Sequence, residues 1–236
     1  MKKINTYWSI IPSIEIIEIS ALAGYNAVLI DMEHGPYSFS EVRTSVSVAQ
    51  GSGIKAFVRP ASKSSRELLS CLESGADGLM IPHVSTRAEM EGIVDSVFYS
   101  PIGNRGASGY TRATKYGDIP FPQHRKTAND NIFIGILIES IEGLNNLADI
   151  VSVGHIDCIY FGTYDIAVSM GLDDQMDMRV QNAVKDALDK TEGKVNYYGQ
   201  VSVSKEQRQT LDDRINFIAH GVDCGIALEG FKNNLK

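Results

Sequence analysis

The stretch that decides the fold is Ala27-Val28-Leu29-Ile30-Asp31-Met32-Glu33-His34-Gly35-Pro36. Residues 27–30 are apolar and predict a buried strand, which stops at two acids, a histidine and a Gly-Pro turn. Barrels of alternating strands and helices carry their active sites at such strand ends. A histidine in this place can act as a base near neutral pH. The alternative interpretation is a solvated loop that ends the strand and carries a surface histidine.

On both sides of this stretch, apolar strand-like runs alternate with helical stretches. The pattern predicts strands at residues 7–11, 27–30, 55–60, 78–82, 132–138, 157–161, 195–203 and 224–228. Helices are predicted at residues 14–22, 40–49, 64–72, from 85 onward, 141–150, 178–188 and 205–219. Strands that recur about every 30 residues favour an α/β fold of the (β/α)8 type over a doubly wound open sheet. The first strand also leads into Ile11-Pro12-Ser13 rather than a glycine-rich dinucleotide fingerprint.

The domain prediction is one barrel over residues 1–236, with no linker. Residues 100–131 hold several glycines and prolines among tyrosine and arginine. Long connections of this kind are usually functional, so we predict an ordered loop over the active-site face.

Composition narrows the function classes. The formal net charge of −7 and the pI near 5.2 argue against nucleic-acid or anionic-membrane binding. No apolar run approaches the length of a membrane span. The three cysteines, Cys71, Cys158 and Cys224, are widely spaced and predict buried free thiols of a reducing compartment. We therefore expect a cytoplasmic protein.

In a barrel, the carboxyl ends of the strands face one pocket. The candidate pocket residues at those ends are Asp31, Glu33, His34, Arg59, Pro82, His83, Glu139 and Asp165. Glu139 directly follows a buried run, where a carboxylate is costly unless it is paired or metal-bound. With Asp165 it would offer oxygen ligands suited to Mg²⁺ or Mn²⁺. A helix cap or a surface salt bridge is the alternative for each acid.

The same residues fall into blocks that resemble the HpcH/HpaI aldolase family, the metal-dependent class II pyruvate aldolases. The matching blocks are residues 31–36, 58–60, 75–78 with 81–82, 101–106, 138–139, and 161–165 with 169–171. Each block is weak alone, but they recur in order from about residue 7 to 230.

The resemblance implies a barrel of the phosphoenolpyruvate/pyruvate type. It implies a homo-oligomer, a hexamer or trimer of dimers, in which neighbours exchange the last helix. It implies a divalent metal, Mg²⁺, Mn²⁺ or Co²⁺, and a substrate pair of a 2-oxo acid and an aldehyde. The reaction would be reversible aldol cleavage of a 4-hydroxy-2-oxo acid to pyruvate and an aldehyde.

The resemblance also implies residue roles. Glu139 and Asp165 would bind the metal, and Arg59 would hold the 2-oxo group and the enolate. His34 would act in acid–base chemistry with Asp31 nearby, and Glu73 falls where the family often pairs an Asp with the histidine. The pyruvate carboxylate would lie against residues Gly162, Thr163, Tyr164 and Asp165.

The chain departs from the family pattern at four places. Leu137 stands where Gln is common, residues 160–167 lack a Pro and a Ser, Glu73 replaces Asp, and the chain ends soon after the last strand. These departures leave two other functions open. One is a related lyase or synthase acting on a citryl-type or other oxo-acid substrate. The other is a non-catalytic metabolite-binding barrel.

Overall fold

Eight parallel strands close into a barrel in sequence order in the computed structural model, which describes residues 3–235. The strands are β1 (Ile4–Ser9), β2 (Ala27–Asp31), β3 (Lys55–Arg59), β4 (Gly78–Ile81), β5 (Phe133–Ile138), β6 (Cys158–Phe161), β7 (Tyr197–Val201) and β8 (Ile215–Val222). Pairing of β8 with β1 closes the sheet. The predicted (β/α)8 TIM barrel is confirmed.

Helices surround this barrel. They are α1 (Ile14–Leu22), α2 (Phe39–Gly51), α3 (Ser65–Glu73), α4 (Arg87–Val97), α5 (Phe121–Asn131), α6 (Ile141–Asn145), α7 (Leu147–Ser152), α8 (Thr163–Ser169), α9 (Met178–Thr191), α10 (Lys205–Thr210) and α11 (Asp223–Asn234). Side-chain caps fix several of their starts: Ser38 and Thr86 each form a reciprocal capping box with the glutamate three residues on.

The strands are apolar on both faces because each face packs against its own core. One core fills the barrel with side chains such as Leu29, Phe57 and Phe217. The other lies between the sheet and the helices and includes Ile30, Val58 and Ile138. Strands buried on both sides are typical of parallel sheets. Their charged residues are therefore displaced to the strand ends, where the barrel opens to solvent.

The last part of the chain differs from the prediction. Residues 205–219 do not form one helix, since α10 ends at Thr210 and β8 begins at Ile215. The predicted strand at residues 224–228 is instead the first half of α11. The inward side chains Phe217 and Ala219 show the two-residue period of a strand. A short apolar run suits either element, and barrel closure selects the strand.

The long connection at residues 100–131 also differs from the prediction. It contains a 3₁₀ helix at Arg112–Gly117 and the whole of α5. Arg112 donates hydrogen bonds to the carbonyl of Ser74 and the side chain of Gln50, which lie at the C-terminal ends of α3 and α2. Because it joins a helix to the next strand, the segment lies at the N-terminal end of the barrel. It does not cover the strand ends that form the predicted site.

Smaller features of the structure agree with the prediction in part. Cys71 and Cys158 are buried free thiols as predicted, but Cys224 is exposed. His124 is buried in α5. Residues 163–169 form an additional helix, α8, directly after β6. Within residues 3–235, no helix combines the length and apolar character needed to span a bilayer.

Candidate active site

The C-terminal strand ends surround a pocket of about 420 Å³. Charged side chains from β2, β3, β5 and α8 line one part of it, namely Asp31, His34, Arg59, Glu139 and Asp165. Apolar side chains line the other part, namely Trp8, Ile10, Leu137, Val201, Val203 and Val222. A pocket at this end of a barrel is the usual place of catalysis.

The charged part is organised around Arg59. Asp31 and Arg59 are partners in the β2–β3 register, so the backbone places their side chains next to each other. The Arg59 Nε donates to Asp31 Oδ1 at 2.8 Å, and an Nη atom donates to Oδ2. Both side chains are almost fully buried. Two parallel bonds of this kind fix the plane of the guanidinium.

Arg59 also meets two further carboxylates. Its Nη1 lies 3.0 Å from Glu33 Oε2 and 3.9 Å from Glu139 Oε1. Burial alone lowers the pKa of Arg59, but the hydrogen bond to Asp31 and the surrounding carboxylates outweigh it and raise the pKa. The guanidinium is therefore a permanent positive charge held by acids on several sides.

Asp31 also shapes the turn that carries His34. Its Oδ1 accepts hydrogen bonds from the main-chain N–H groups of Glu33 and His34, at 3.0 and 3.3 Å. The carboxylate is thus fully occupied by Arg59 and by the turn. His34 itself is exposed at the mouth of the pocket. Asp31 positions its neighbours, while His34 is free to meet a ligand.

Glu139 is the buried carboxylate of the site. Burial raises its pKa, the His83 and Arg59 contacts oppose this rise, and the charge of Asp165 adds to it. Gly162 makes room for it, because a Cβ at position 162 would lie 2.6 Å from Glu139 Cγ. The site thus holds a carboxylate in a place where its charge is costly without a cation.

His83 has a larger role than its sequence position suggested. Its main-chain N–H donates to Glu139 Oε2 at 2.8 Å, and its Nδ1 lies 3.1 Å from the same oxygen. The other ring nitrogen lies 2.8 Å from Glu33 Oε1. The residue adopts φ 53°, a left-handed conformation that is rare outside glycine and asparagine. This backbone turn allows one residue to contact Glu139 twice.

Asp165 lies in the first turn of α8, and the first three N–H groups of that helix have no intrahelical partner. Thr163 is buried, and its hydroxyl donates to Gln175 Oε1 at 2.7 Å, which fixes the start of the helix. The four residues that the resemblance places against the substrate carboxylate, Gly162, Thr163, Tyr164 and Asp165, all line the pocket.

Sequence reasoning missed the aromatic floor of the pocket. Trp8 lies under Arg59, with the guanidinium carbon 4.3 Å from the ring centroid. Its indole N–H donates to the Tyr160 hydroxyl at 3.1 Å. Trp8 is the one tryptophan of the chain and lies near the end of β1. Its position near the end of a predicted strand was the sequence feature that could have indicated a pocket residue.

Glu73 does not join this site. It is the last residue of α3, at the other end of the barrel, where its charge acts on Tyr99 and Arg105. The predicted pairing of Glu73 with the histidine is therefore not present within the chain. Sequence spacing alone does not distinguish the two ends of a barrel helix.

The residues fit a divalent cation with few protein ligands. Within residues 3–235, no group of three or more His, Cys, Asp or Glu side chains is arranged to hold a metal. Glu139 and Asp165 would supply two carboxylates, and water and substrate oxygens would complete the coordination. Mg²⁺ and Mn²⁺ accept such oxygen sets. A cation would also favour the ionised form of Glu139, which burial of this side chain disfavours.

Comparison with known proteins identifies the family. Residues 6–229 match the family described as HpcH/HpaI aldolase/citrate lyase. The chain belongs to this family. A hydroxypyruvate/pyruvate aldolase of Sagittula stellata is 34% identical over 164 residues, which cover 70% of this chain and 64% of that protein. A pyruvate aldolase of Rhizobium etli is 30% identical over 229 residues, covering 94% and 88%.

A solved structure agrees on the fold. An HpcH/HpaI aldolase/citrate lyase family protein from Burkholderia cenocepacia superposes with a TM-score of 0.93 at 24% identity, over 99% of this chain and 93% of that one. The family match and the aldolases among the similar proteins confirm the expected HpcH/HpaI membership and the carbon–carbon lyase class. The family generally depends on a divalent metal ion.

Proposed function

We propose that the protein is a metal-dependent aldolase that cleaves a 4-hydroxy-2-oxo acid to pyruvate and an aldehyde, reversibly. The observation that carries this proposal is the buried Glu139 next to Arg59, in a pocket that Asp165 also lines. The similar proteins named pyruvate aldolase and hydroxypyruvate/pyruvate aldolase support pyruvate as the oxo-acid half.

The chain's own groups suit the oxo-acid half. The unpartnered N–H groups at residues 163–165 can donate to a carboxylate, which the positive end of a helix favours. Arg59 would donate to the 2-oxo oxygen and hold the negative charge that grows there during cleavage. When bound, a divalent cation, Mg²⁺, Mn²⁺ or Co²⁺, would act as a Lewis acid on the same oxygen.

The proton transfers fall to His34. It would accept the proton of the 4-hydroxyl as the bond between C3 and C4 breaks, which releases the aldehyde and leaves the enolate of pyruvate. The same group would return a proton to C3 of the enolate. Asp31 would position the turn through its hydrogen bonds to residues 33 and 34. Glu73 has no part in this scheme within one chain.

We also propose that the protein is a homo-oligomer. Ile19 of α1 and Ile226 of α11 are exposed and line one apolar groove between the two helices. Clustered apolar exposure of this kind marks a contact surface. Light scattering that gives the mass of a hexamer would support the predicted assembly, and a monomer would contradict it.

A cytoplasmic location is part of the same proposal. All three cysteines are free thiols, and two of them are buried. This favours a reducing compartment.

The test uses pyruvate alone, since the aldehyde is unknown. Pyruvate would be incubated with the protein in deuterated buffer, with Mg²⁺, Mn²⁺ or a chelator, while NMR follows loss of the methyl protons. Exchange that requires metal and disappears in Glu139→Gln is the expected result. The exposed Glu142→Gln is the matched control and should exchange normally. Absence of exchange with every metal would contradict the proposal.

A further inference from the structure

We propose a second ligand site, for a small oxyanion, at the N-terminal end of the barrel around Arg105. A cavity of about 360 Å³ lies there, between the starts of β3 and β4 and the segment that ends in α5. We call it the basal cavity. Its polar lining comes from Lys55, Asp77, Arg105, Gln123, His124, Thr127 and Asn131. Its volume falls in the range of small-molecule sites.

The central observation is a buried guanidinium without a counter-ion. Arg105 is 8% exposed, yet none of the ion pairs found within residues 3–235 includes it. Its buried Nε has no hydrogen-bond partner. Burying a charge in this way is costly, and native proteins nearly always supply a partner. An external oxyanion is the partner that a forked donor of this geometry binds best.

Nearby acids do not fill this role. Asp77 lines the same cavity, but its carboxylate accepts from the amine of Lys55 at 2.5 Å, from Gln50 at 3.1 Å and from the main-chain N–H of Ala56 at 3.0 Å. Asp77 is therefore already satisfied, and it holds the start of β3 against β4.

Glu73 and Asp95 are the other acids near Arg105. Asp95 accepts a hydrogen bond from the Asn104 side chain. Glu73 makes no ion pair with Arg105, although its charge acts on the guanidinium. Burial lowers the pKa of Arg105, and Tyr99 and Glu73 oppose this only in part. Within residues 3–235, no carboxylate therefore forms an ion pair with Arg105.

The surroundings hold the guanidinium in place for a ligand. Its carbon lies 4.6 Å from the centroid of the Tyr99 ring. The Tyr99 hydroxyl lies 3.4 Å from His124 Nε2, and Asn129 binds both the N–H and the carbonyl of Tyr99. An arginine stacked on a ring that is itself fixed loses little side-chain freedom when it binds an anion. The site is prearranged rather than formed by the ligand.

A donor on α5 indicates the size of the ligand. The side-chain amide of Gln123 lines the cavity on the same face as His124, whereas the Thr127 hydroxyl already donates to the Gln123 carbonyl at 2.9 Å. Together with Arg105, this amide suits an anion with several oxygens, such as a phosphate or a short dicarboxylate. The basal cavity lies at the opposite end of the barrel from the catalytic pocket of the same chain, so the two sites are distinct.

Inorganic phosphate is the probe for the test, with malonate as a second anion. Binding would be measured by calorimetry and by thermal shift in the presence of a chelator, at constant ionic strength set with chloride. We expect saturable phosphate binding to the wild type. Arg105→Met should weaken it by about tenfold or more, the value of a lost charge-assisted hydrogen bond. Arg105→Lys, which keeps the charge and loses the fork, should weaken it less.

Arg125→Met is the matched control, because Arg125 is exposed on the same helix and its removal changes the net charge equally. Its phosphate affinity should equal that of the wild type. Circular dichroism checks that Arg105→Met is folded, and Gln123→Ala, which keeps the arginine, provides a second variant with weaker binding.

Three results would overturn the site. One is phosphate binding that Arg105→Met leaves unchanged, and another is stabilisation that chloride reproduces. The third is the absence of saturable phosphate binding to the wild type, together with a changed mass of Arg105→Met in light scattering, which would assign the guanidinium to a carboxylate of a second copy.

Discussion

Two buried arginines lie at opposite ends of this barrel. Arg59 is 6% exposed and lies over Trp8, while Arg105 is 8% exposed and lies over Tyr99. Their immediate stacking is alike, with the guanidinium carbon 4.3 and 4.6 Å from the ring centroids. Their charges differ in surroundings: carboxylates surround Arg59, whereas no carboxylate in the described part of the chain forms an ion pair with Arg105.

The difference shows two ways of preparing a cation for a ligand. Around Arg59 the carboxylates outnumber the cation. The surplus negative charge at Glu139 and Asp165 suits a metal ion. Around Arg105 the positive charge is in surplus, which suits an anion directly. The pKa of Arg59 is raised and that of Arg105 is lowered, in agreement with these opposite balances.

The largest expected effect comes from Glu139→Gln, which removes the surplus charge at the Arg59 end. Loss of a metal ligand should cost several kcal/mol of transition-state stabilisation, on the order of 10³-fold in rate. The fold should keep its stability, because burial opposes the charge of Glu139 in the metal-free protein. Aldol or exchange kinetics and urea unfolding would measure both. A variant that unfolds would show that Glu139 serves packing instead.

Arg59→Met tests the cation itself. We expect a rate loss of about 10² to 10³-fold, as for removal of an oxyanion donor. We also expect a loss of about 3–5 kcal/mol in unfolding free energy, because the buried Asp31 is left unpaired. Kinetics and urea unfolding measure the two effects. A near-normal rate would remove Arg59 from the mechanism.

His83→Asn tests the contact that orients Glu139. Asparagine tolerates the left-handed backbone at this position, so the turn should persist while the ring contacts are lost. Metal affinity should fall by about 10 to 100-fold, as for other groups that orient a ligand. Calorimetric titration with Mn²⁺ would measure this. An unchanged affinity would limit His83 to a surface role.

The wild-type protein should bind metal more weakly as pH falls. Burial raises the pKa of Glu139, so protons compete with the metal at a higher pH than they would at an exposed glutamate. Below that pKa, apparent affinity should fall by about tenfold per pH unit for one coupled proton. Titrations with Mn²⁺ across acidic pH would show the slope, and Glu139→Gln should lack it.

The smallest effect is expected for Arg105→Met in a buffer without oxyanions. The loss of stacking on Tyr99 and the removal of an unpaired charge oppose each other, so unfolding free energy should change by less than about 1 kcal/mol. Urea unfolding beside Arg59→Met completes the comparison. A loss as large as that of Arg59→Met would mean that Arg105 has a partner within the chain.

Much of the charged site could be predicted from the sequence. A buried strand must place its titratable residues at its end, and this rule alone brought Asp31, Arg59 and Glu139 together. The rule gives no information on backbone conformation, so it did not predict the left-handed turn at His83 or the two contacts of this residue with Glu139. It also gives little information on aromatic side chains such as Trp8, which suit a core and a pocket equally.

The remaining errors come from ambiguous local signals. Ile215–Val222 is apolar enough for a helix or a strand, and only pairing with both β1 and β7 selects the strand. The glycines and prolines of residues 100–131 indicate a loop without indicating the end of the barrel at which it lies. Glu73 was misplaced for the same reason, since the two ends of a helix look alike in sequence.

Gly162 sets a limit on how this protein can diversify. Any side chain at this position would enter the space of Glu139, with the Cβ 3.0 Å from Oε1. Gly162 has φ −82°, which any residue can adopt, so the constraint is one of volume, and even alanine would press against the buried carboxylate. A substitution at this position would therefore act first on Glu139 and only then on the packing of the barrel.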